Sequence, residues 1–181
     1  DKVFIKSITN TLYYVVVGVP SVIVVSFLLA YLLNRGGEKK LYSFFRAVFY
    51  SPSVTNMVAV SIVWLYLFNP SIGLFNDIIQ FFGGEPLLWL KDKATAKNSL
   101  LMLSVWKNMG INMLIFLAAL QSVPKELYEA SSLDGAGKLV QLFKITLPNI
   151  LFSVFFVTVT TLIGWFQYFE EVYVMTEGGP A

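Results

Sequence analysis

Residues 12–33 read LYYVVVGVPSVIVVSFLLAYLL, an apolar run that holds no charged side chain. An α-helix rises about 1.5 Å per residue, so about 20 such residues cross the hydrocarbon core of a bilayer. The run therefore predicts a membrane-spanning helix. Gly18 and Pro20 predict a bend within it, which membrane helices tolerate when neighbouring helices satisfy the freed backbone groups.

Three further stretches have the same character and a similar length. Residues 47–68 and 150–169 hold no charged side chain, and residues 99–120 hold one, Lys107. Each stretch is long enough to cross the hydrocarbon core. The sequence therefore predicts four membrane spans within one all-α domain that extends over residues 1–181.

The overall composition agrees with a membrane protein. Of the 181 residues, 56% are hydrophobic and 13% are charged, whereas soluble domains average about 25% charged and about 45–50% apolar residues. The alternative, four buried helices of a large soluble protein, needs polar helix faces that the chain lacks. The chain has no cysteine and no histidine, which excludes disulfides and removes the commonest metal ligand and general base. No metal site is predicted.

The 13 basic residues are scattered between the apolar runs, and the net charge is only +2. Recognition of nucleic acid needs a concentrated basic surface, so a nucleic-acid partner is not expected. The loops after the first and third spans carry seven basic residues, and the segments on the other side carry five. The positive-inside rule then places residues 34–46 and 121–148 in the cytoplasm and the loop 69–98 outside.

The two ends of the sequence indicate a piece of a longer protein. The chain begins at Asp1 without a methionine and shows no signal-peptide pattern before its first apolar run. It stops within residues 178–181, a Gly-Gly-Pro-Ala stretch that is typical of a loop.

The stretch 121–148 differs from the spans because it is polar and too short of apolar residues to cross a bilayer. Residues 125–132 can form a short helix, which Asp-Gly-Ala-Gly at 134–137 breaks, since glycine readily takes a positive φ. Residues 138–146 can form a second short helix, and Pro148 is expected to end it. The pattern predicts a helix–turn–helix on the cytoplasmic face.

Two interpretations of this loop remain open on spacing alone. Small residues around its turn let another backbone approach closely, and large apolar residues at helical spacing offer anchors, which favours a docking surface. Glu129 and Asp134 add negative charge in fixed positions. An ordinary amphipathic connector that lies on the membrane surface has the same pattern.

The loop contains Glu129-Ala130-Ser131, three residues, Gly135, nine residues and then Ile145-Thr146-Leu147-Pro148. This pattern resembles the EAA loop of bacterial ABC importer permeases, with the small Ser131 where that family usually has a second alanine. The resemblance runs from about Leu12 to the end and is nearest to the carbohydrate branch related to the maltose and multiple-sugar permeases. Further matching pieces are Leu67-Phe68-Asn69-Pro70, Gly73-Leu74, Trp89-Leu90, Trp106 and Thr176-Glu177-Gly178-Gly179-Pro180.

The resemblance implies an all-α polytopic transmembrane helical bundle, the core of a type I ABC importer permease, with a cytoplasmic helix–turn–helix coupling loop. It implies a non-catalytic, multi-pass subunit of the bacterial cell membrane that forms half of the path for a sugar or oligosaccharide. The implied partners are a second homologous permease, two ATPase subunits and an extracytoplasmic solute-binding protein, which the loop 69–98 faces. No cofactor is expected in this chain, because the ATPase subunits bind ATP and Mg²⁺. Flanking helices are expected before Asp1 and after Ala181.

In the resembled family, the loop sits in a cleft of the ATPase subunit and transmits its ATP-driven closure to the membrane helices. The resemblance therefore assigns ATPase coupling to seven residues of the loop. They are Glu129, Ala130, Ser131, Asp134, Gly135, Ala136 and Gly137.

Polar residues within the third and fourth spans predict a path for the substrate. Asn108 and Asn112 share one helix face, and polar side chains at membrane depth usually face a cavity or the bundle interior. Amides can bond sugar hydroxyls, and aromatic rings can stack on sugar rings. With the resemblance, the predicted substrate-path residues are Lys107, Asn108, Ile111, Thr161, Trp165 and Tyr168.

The same residues also suit the contacts that hold helices together or join a companion subunit. Lys107 has three possible roles on this evidence. Its ammonium group can reach the membrane surface, pair with Glu170 or Glu171, or meet an anionic substrate.

An ion-coupled secondary transporter is the alternative function. Such coupling uses an acid within the membrane, and the four predicted spans contain no Asp or Glu, although backbone sites can bind sodium. A membrane enzyme is not favoured, because the sequence shows no set of residues that is typical of a catalytic site. The chain also lacks a GxxxxGK[ST] phosphate-binding loop, so ATP must bind to another chain.

Overall fold

The computed structural model describes residues 1–37 and 39–179, so Glu38 and the predicted loop residues Pro180 and Ala181 lie outside the described part. The described residues form ten α-helices joined by short connections. Their bounds are α1 (Lys2–Asn34), α2 (Lys40–Val54), α3 (Met57–Leu67), α4 (Leu74–Phe81), α5 (Lys93–Ser122), α6 (Lys125–Leu133), α7 (Lys138–Gln141), α8 (Leu147–Asn149), α9 (Leu151–Phe166) and α10 (Glu170–Thr176). A 3₁₀ turn covers Trp89–Lys91, and a π-helical segment covers Leu142–Thr146.

The all-α fold class predicted from the sequence is confirmed over the described residues. α1 and α5 are each long and apolar enough to cross a membrane, and the number rises to four if each of two bent helix pairs counts as one span. The predicted spans 12–33 and 99–120 lie within α1 and α5, and α1 stays helical through Pro20.

The predicted span 47–68 is divided, because α2 and α3 meet at an angle of 102°. Thr55 is extended after the end of α2, and Asn56 begins a new helix. The side-chain oxygen of Asn56 accepts hydrogen bonds from the backbone N–H groups of Val58 and Ala59, at 2.9 and 3.3 Å. Asparagine is a favoured N-cap residue, so Asn56 is a local sequence signal for the start of a new helix. The long apolar run around it predicts one continuous span instead.

The predicted span 150–169 is represented by the shorter α9, which is bent by 68° from the preceding helical stretch Lys138–Asn149. The expectation that Pro148 ends this stretch is not met, because the helix continues through it. Pro148 lies in the first turn of α8, where a missing N–H costs little. The bend instead follows at Ile150, which is buried and donates its N–H to the Thr146 oxygen at 3.1 Å.

The centre of the bundle is formed by α1 and α5, which pack along each other, with α9 against α1. α2 crosses α5 at Gly110. A Cβ atom built at Gly110 would collide with the carbonyl oxygen of Phe49 and lie 2.8 Å from the Cα atom of Tyr50. The absence of a side chain at Gly110 therefore allows the two helix backbones to meet, as is common in membrane bundles.

Two buried apolar clusters lie along the bundle. One joins the first half of α1 to α3 and the start of α5 around Trp64, Phe68 and Trp165. The other joins the last parts of α1 and α5 to the start of α9 around Phe116 and Ile150. Both long helices thus belong to the two clusters, which ties the halves of the bundle together.

The exterior of the bundle carries many large apolar side chains. On α9, Phe152 is 81% exposed, and Phe155 and Phe166 are also exposed. Val16 and Leu32 are exposed in the same way on α1. Water-facing surfaces rarely leave such side chains uncovered along whole helices, so this exterior suits lipid chains or partner helices.

Residues 69–98, the predicted outer loop, fold into α4, the 3₁₀ turn and the start of α5, and Asn76 organises them. The amide nitrogen of Asn76 donates to the backbone oxygens of Pro70 and Leu87 at 3.0 and 2.9 Å. Its oxygen accepts from the Leu87 N–H and from the Trp89 indole N–H at 3.0 and 2.8 Å. Trp89 has a φ of +49°, an unfavourable backbone conformation that these contacts help to hold.

We expect Asn76→Ala to destabilise this segment by about 3 kcal/mol, because each buried donor left without an acceptor costs about 1–3 kcal/mol. Thermal unfolding of the purified full-length protein measures the loss. Gln80→Ala removes an exposed amide from the same helix and should change the midpoint little. Equal midpoints for the two variants would show that the Asn76 contacts do not hold the segment.

Candidate functional site

A cavity of about 520 Å³ opens between α5, α9 and α10. Binding sites for small molecules are typically cavities of about 300–1,000 Å³ with a few convergent polar groups. Hydroxyl, amide, aromatic, aliphatic and carboxylate groups line this one. The lining residues are Ser104, Asn108, Ile111, Asn112, Ile115, Phe156, Thr160, Thr161, Gly164, Trp165, Gln167, Tyr168, Glu170 and Glu171.

The cavity brings together five of the six residues that the sequence assigns to the substrate path. Asn108 and Ile111 come from α5, Thr161 and Trp165 from α9, and Tyr168 from the connection between α9 and α10. Helical spacing on α5 and α9 accounts for their common direction. The sixth predicted residue, Lys107, does not line this cavity.

The polar groups of α5 are held by the backbone of their own helix. The amide nitrogen of Asn108 donates to the backbone oxygen of Ser104 at 2.9 Å, and that of Asn112 donates to the backbone oxygen of Asn108 at 3.0 Å. The Tyr168 hydroxyl donates to the Leu100 backbone oxygen at 3.2 Å and lies 2.7 Å from Ser104 Oγ. Tyr168 thereby fixes the end of α9 against α5.

Aromatic rings form the wall behind these amides. Trp165 is 3% exposed, and its ring centroid lies 6.1 Å from that of Tyr14 and 4.8 Å from that of Tyr168. Gly18 makes room for the Trp165 ring, because a Cβ atom there would lie 2.6 Å from it. The sequence predicts that these rings stack on a sugar, whereas the structure uses most of the Trp165 surface for packing against α1.

Thr161 has an unsatisfied polar group at the cavity wall. Its Oγ1 atom is buried and has no hydrogen-bond partner among the described residues. Nearby threonines of α9 differ, because Thr158 and Thr160 donate to the backbone oxygens of Val154 and Phe156 at 2.7 and 2.9 Å. A threonine in a helix has two accessible χ1 rotamers, so the Thr161 hydroxyl is free to turn towards a bound group.

Two carboxylates at the start of α10, Glu170 and Glu171, complete the lining. Acidic side chains suit the first turn of a helix, where the helix dipole is positive. Burial raises the pKa of Glu171, and the charge of Glu170 acts in the same direction. The sequence indicates these residues as possible partners of Lys107 and does not predict them in the lining, to which the bend after α9 brings them.

Lys107 holds the bend between α2 and α3. Its ammonium group donates to the backbone oxygens of Pro52 at 3.0 Å and Thr55 at 2.5 Å, at a helix C-terminus where a cation is favoured. Ser53 Oγ donates to the Lys107 backbone oxygen at 2.8 Å and accepts from the Ile111 N–H at 3.2 Å. This contact with a helix end is an additional role to the three that the sequence indicates for Lys107. The charge of Lys107 also acts on Glu171, where it opposes the rise in pKa that burial causes.

We expect Lys107→Met to lower the free energy of unfolding by about 2 kcal/mol, because hydrogen bonds from charged donors contribute about 1.5–3 kcal/mol. Methionine keeps the apolar stem and removes the ammonium group. Lys93→Met, at an exposed position of the same helix, is the control in thermal unfolding. A Lys107→Met protein that unfolds with the control would contradict this role.

The predicted coupling loop is a helical hairpin that Gln141 holds together. The amide nitrogen of Gln141 donates to Ser131 Oγ at 3.0 Å, to Ser132 Oγ at 2.9 Å and to the Tyr128 backbone oxygen at 3.2 Å. The Tyr128 hydroxyl lies 2.9 Å from Thr146 Oγ1. These contacts fix the angle between α6 and the stretch that begins with α7.

The turn of the hairpin depends on Gly135. α6 ends at Leu133 and α7 begins at Lys138, on either side of the predicted break. Gly135 has a φ of +78°, in the left-handed region that glycine adopts most easily. Among the described residues, no heavy atom lies within 4 Å of a Cβ atom built at Gly135 or Gly137, so the turn has open space around it.

The predicted coupling residues lie on the open side of the hairpin. The exposed ones are Glu129, Ala130, Asp134, Gly135 and Gly137, and the partly exposed ones are Ser131 and Ala136. Large apolar side chains beside them are uncovered within the described chain, since Leu133 is 91% exposed and Leu139 and Phe143 are also exposed. We call Leu133, Leu139 and Phe143 the apolar patch. Such a patch indicates a surface that another molecule covers.

Sequence reasoning missed some lining residues. Ser104, Asn108 and Asn112 recur at steps of four along α5, and this spacing is a signal that could have added Ser104. Sequence reasoning also missed Gln141, which holds the hairpin and does not line the cavity. The sequence around it gives no comparable signal, because a single glutamine in a polar loop is usually a solvated side chain.

Long apolar helices, an apolar exterior, a polar cavity and an exposed hairpin at one end define a helical membrane protein with an internal site. The chain belongs to the family of binding-protein-dependent transport system inner membrane components, whose model matches residues 2–179. The permease family predicted from the loop pattern is thereby confirmed.

The chain is 37% identical over 186 residues to the lactose transport system permease protein LacF of Rhizobium radiobacter, over 100% of this chain and 61% of the relative. It is 36% identical over 180 residues to the arabinooligosaccharides transport system permease protein AraP of Halalkalibacterium halodurans, over 99% of this chain and 57% of the relative. The chain thus spans about six tenths of the length of these curated relatives.

The fold is similar to that in a crystal structure of a bacterial ABC transporter involved in the import of the acidic polysaccharide alginate. The TM-score is 0.88 at 24% sequence identity, over 99% of this chain and 63% of that chain. At this level of identity the likeness concerns the fold alone.

Proposed function

We propose that the chain is the central part of a permease subunit of an ATP-binding-cassette importer and forms half of the path for a sugar or oligosaccharide. The observation that carries the proposal is the family match over residues 2–179 on a fold with an open cavity that polar and apolar groups line. The names of LacF and AraP, for lactose and arabinooligosaccharides, support a saccharide as cargo. The matched family and these relatives give no support to the ion-coupled alternative.

The cavity between α5, α9 and α10 is the proposed substrate path. Its amides, hydroxyls and carboxylates can bond the hydroxyl groups of a sugar. Asn108, Ile111, Thr161 and Tyr168 act directly on the cargo in this proposal, and Trp165 forms the wall behind them. Lys107 acts indirectly, through the bend between α2 and α3. A second, homologous permease supplies the other half of the path.

The hairpin at residues 125–149 is the proposed contact with an ATPase subunit. Its exposed glycines, alanine and glutamate and the apolar patch support a protein partner, because they combine close approach with uncovered apolar area. Two ATPase subunits bind ATP and Mg²⁺ in this proposal, and the chain itself has no catalytic role. Motion of the ATPase pair reaches the bundle through the Gln141 and Tyr128 contacts of the hairpin.

The chain lies in the bacterial cell membrane as a multi-pass protein in this proposal. The family description as an inner membrane component supports that location. α1 and α5 are long and apolar enough to cross, and up to four crossings result if each of two bent helix pairs counts as one span. In this proposal α9 is the membrane part of the second pair, because its other part, Lys138–Asn149, belongs to the hairpin. The hairpin then faces the cytoplasm, and residues 69–98 face outwards, where an extracytoplasmic solute-binding protein docks, as the family name supports.

Co-purification from native membranes tests the proposal. The full-length protein carries a tag, is extracted with a mild detergent, and its partners are identified by mass spectrometry. An ATPase subunit and a second permease are the expected partners. Recovery of the protein alone, or only with copies of itself, would overturn the importer assignment and favour a secondary transporter.

A further inference from the structure

The cavity between α5, α9 and α10 is uneven in charge. Among its described lining residues, Glu170 and Glu171 are the only side chains with a formal charge. Glu170 is exposed and Glu171 is half-buried. The other lining groups are hydroxyls, amides, aromatic rings and aliphatic side chains, so the two carboxylates set the charge that an occupant of the cavity meets.

Lys107 lies outside the lining and balances these carboxylates only in part, since its charge opposes the rise in pKa that burial causes at Glu171. Its ammonium group is bonded to the backbone oxygens of Pro52 and Thr55, at the bend between α2 and α3. The positive charge is therefore directed to a helix end. Two carboxylates against one ammonium group leave an excess of negative charge beside the cavity, and low-dielectric walls strengthen the field of charges that line a cleft.

The uncharged groups of α5 also offer acceptors to the occupant. The amide nitrogens of Asn108 and Asn112 each use one N–H group on a backbone oxygen, which leaves one N–H donor and the side-chain oxygen as an acceptor on each residue. An ionised carboxylate only accepts hydrogen bonds. Sugar hydroxyls donate to such groups, whereas a carboxylate or phosphate on a sugar would meet acceptors and like charge.

The buried Oγ1 of Thr161 has no partner among the described residues, and this is also true of Ser26 Oγ, Ser61 Oγ and Arg46 Nε. Of these four described residues only Thr161 lines the cavity, where a ligand can supply the missing partner. Buried hydroxyls are nearly always bonded to protein or ligand groups. Threonine in a helix has two common χ1 rotamers, so a change of rotamer can turn the Thr161 hydroxyl towards the occupant of the cavity.

We propose that Glu170 and Glu171 make this half of the path selective for saccharides without negative charge, against sugar acids and sugar phosphates. The proposal rests on the assignment of the cavity as a saccharide path. The proposed cargo, a saccharide without negative charge, differs from the acidic polysaccharide alginate, whose importer has a similar fold. Glu170 and Glu171 are specificity-determining residues that contact the cargo.

Charged thiol reagents measure the potential inside the cavity directly. The chain has no cysteine, so Ile111→Cys places one thiol on the lining of the full-length protein in its assembled importer. The reaction rates of this thiol with a cationic and an anionic methanethiosulfonate are compared with those of Leu88→Cys, an exposed position of residues 69–98. We expect the ratio of cationic to anionic rates to be about tenfold or more above that of the control.

Glu170→Gln and Glu171→Gln in the Ile111→Cys background identify the source of the preference. Each should lower the rate ratio, and the pair together should bring it to the control value. Glu170→Gln alone, at an exposed side chain, keeps the test valid if the double variant does not fold. A ratio equal to that of Leu88→Cys, an unchanged ratio in the variants, or no reaction at Ile111→Cys would each overturn the proposal.

This result is independent of the coupling to ATP. A protein that co-purifies with an ATPase subunit but shows no preference for the cationic reagent refutes the charge selectivity and leaves the importer assignment in place. A preference without an ATPase partner refutes the importer assignment instead.

Discussion

Replacing Gly110 with alanine is expected to destabilise the folded chain by about 3 kcal/mol, which is the upper part of the usual range for added volume in a packed interior. The added Cβ atom would collide with the carbonyl oxygen of Phe49 and lie 2.8 Å from the Cα atom of Tyr50. Backbone atoms cannot turn aside as a side chain can, so α2 must move away from α5.

The displacement of α2 also affects the contacts beside the crossing. Lys107 and Ser53 join α5 to the end of α2 within one turn of Gly110, and these bonds lengthen when the helices separate. We therefore expect Gly110→Ala to lower the thermal midpoint more than Lys107→Met does.

Gly164→Ala is the matched control, because it makes the same change within a membrane helix. No described heavy atom lies within 4 Å of a Cβ atom at Gly164, and alanine favours helix over glycine by about 1 kcal/mol. Its thermal midpoint should equal or exceed that of the parent. If Gly110→Ala is as stable as Gly164→Ala, α2 and α5 do not meet as closely as described.

Replacing Gly135 with valine is expected to reduce transport by about tenfold or more while the subunit stays folded and ATP hydrolysis continues. Gly135 has a φ of +78°, and a residue with a Cβ atom pays about 1–2 kcal/mol in the left-handed region, with β-branched residues the worst placed. The turn then adopts another conformation, and α6 and α7 change their relative angle. Motion of an ATPase subunit reaches the bundle through that angle in the proposed function.

Gly137→Val is a control at the same turn, because it adds the same side-chain volume without a strained backbone conformation. Gly137 has a φ of −74°, which valine adopts without strain, and its surroundings are as open as those of Gly135. Transport and ATP hydrolysis are measured together in liposomes that contain the assembled importer. Transport by Gly135→Val at the rate of the parent would mean that the angle of the hairpin does not carry the coupling.

The sequence is sufficient for the fold class, because long uncharged runs have few alternatives to helices in a bilayer. It also predicts the break at Gly135. Helical spacing, which is a local property, together with the family resemblance predicts five residues that the structure brings to one cavity. Each of these features depends on residues close together in the chain.

Features that depend on distant contacts were not accessible in this way. The division of the predicted span 47–68 rests on the Asn56 cap and on Lys107, which is far away in sequence. The carboxylates Glu170 and Glu171 enter the cavity only because the chain turns after α9. A charged side chain in an apolar run is equally consistent with a functional role and with a structural contact. Only the atoms that it contacts in the fold distinguish the two.

Cross-linking from Leu133 tests most directly whether the hairpin couples the chain to an ATPase. Leu133 is 91% exposed within the apolar patch, and residues 1–181 contain no cysteine, so Leu133→Cys supplies the one thiol in this part of the protein. A photoreactive benzophenone is attached to this thiol in the full-length protein in native membranes, with Phe152→Cys on the apolar exterior as the control. The account predicts a cross-link to an ATPase subunit from Leu133→Cys and none from Phe152→Cys. Cross-links from Leu133→Cys only to lipid, or only to another copy of the protein, would contradict it.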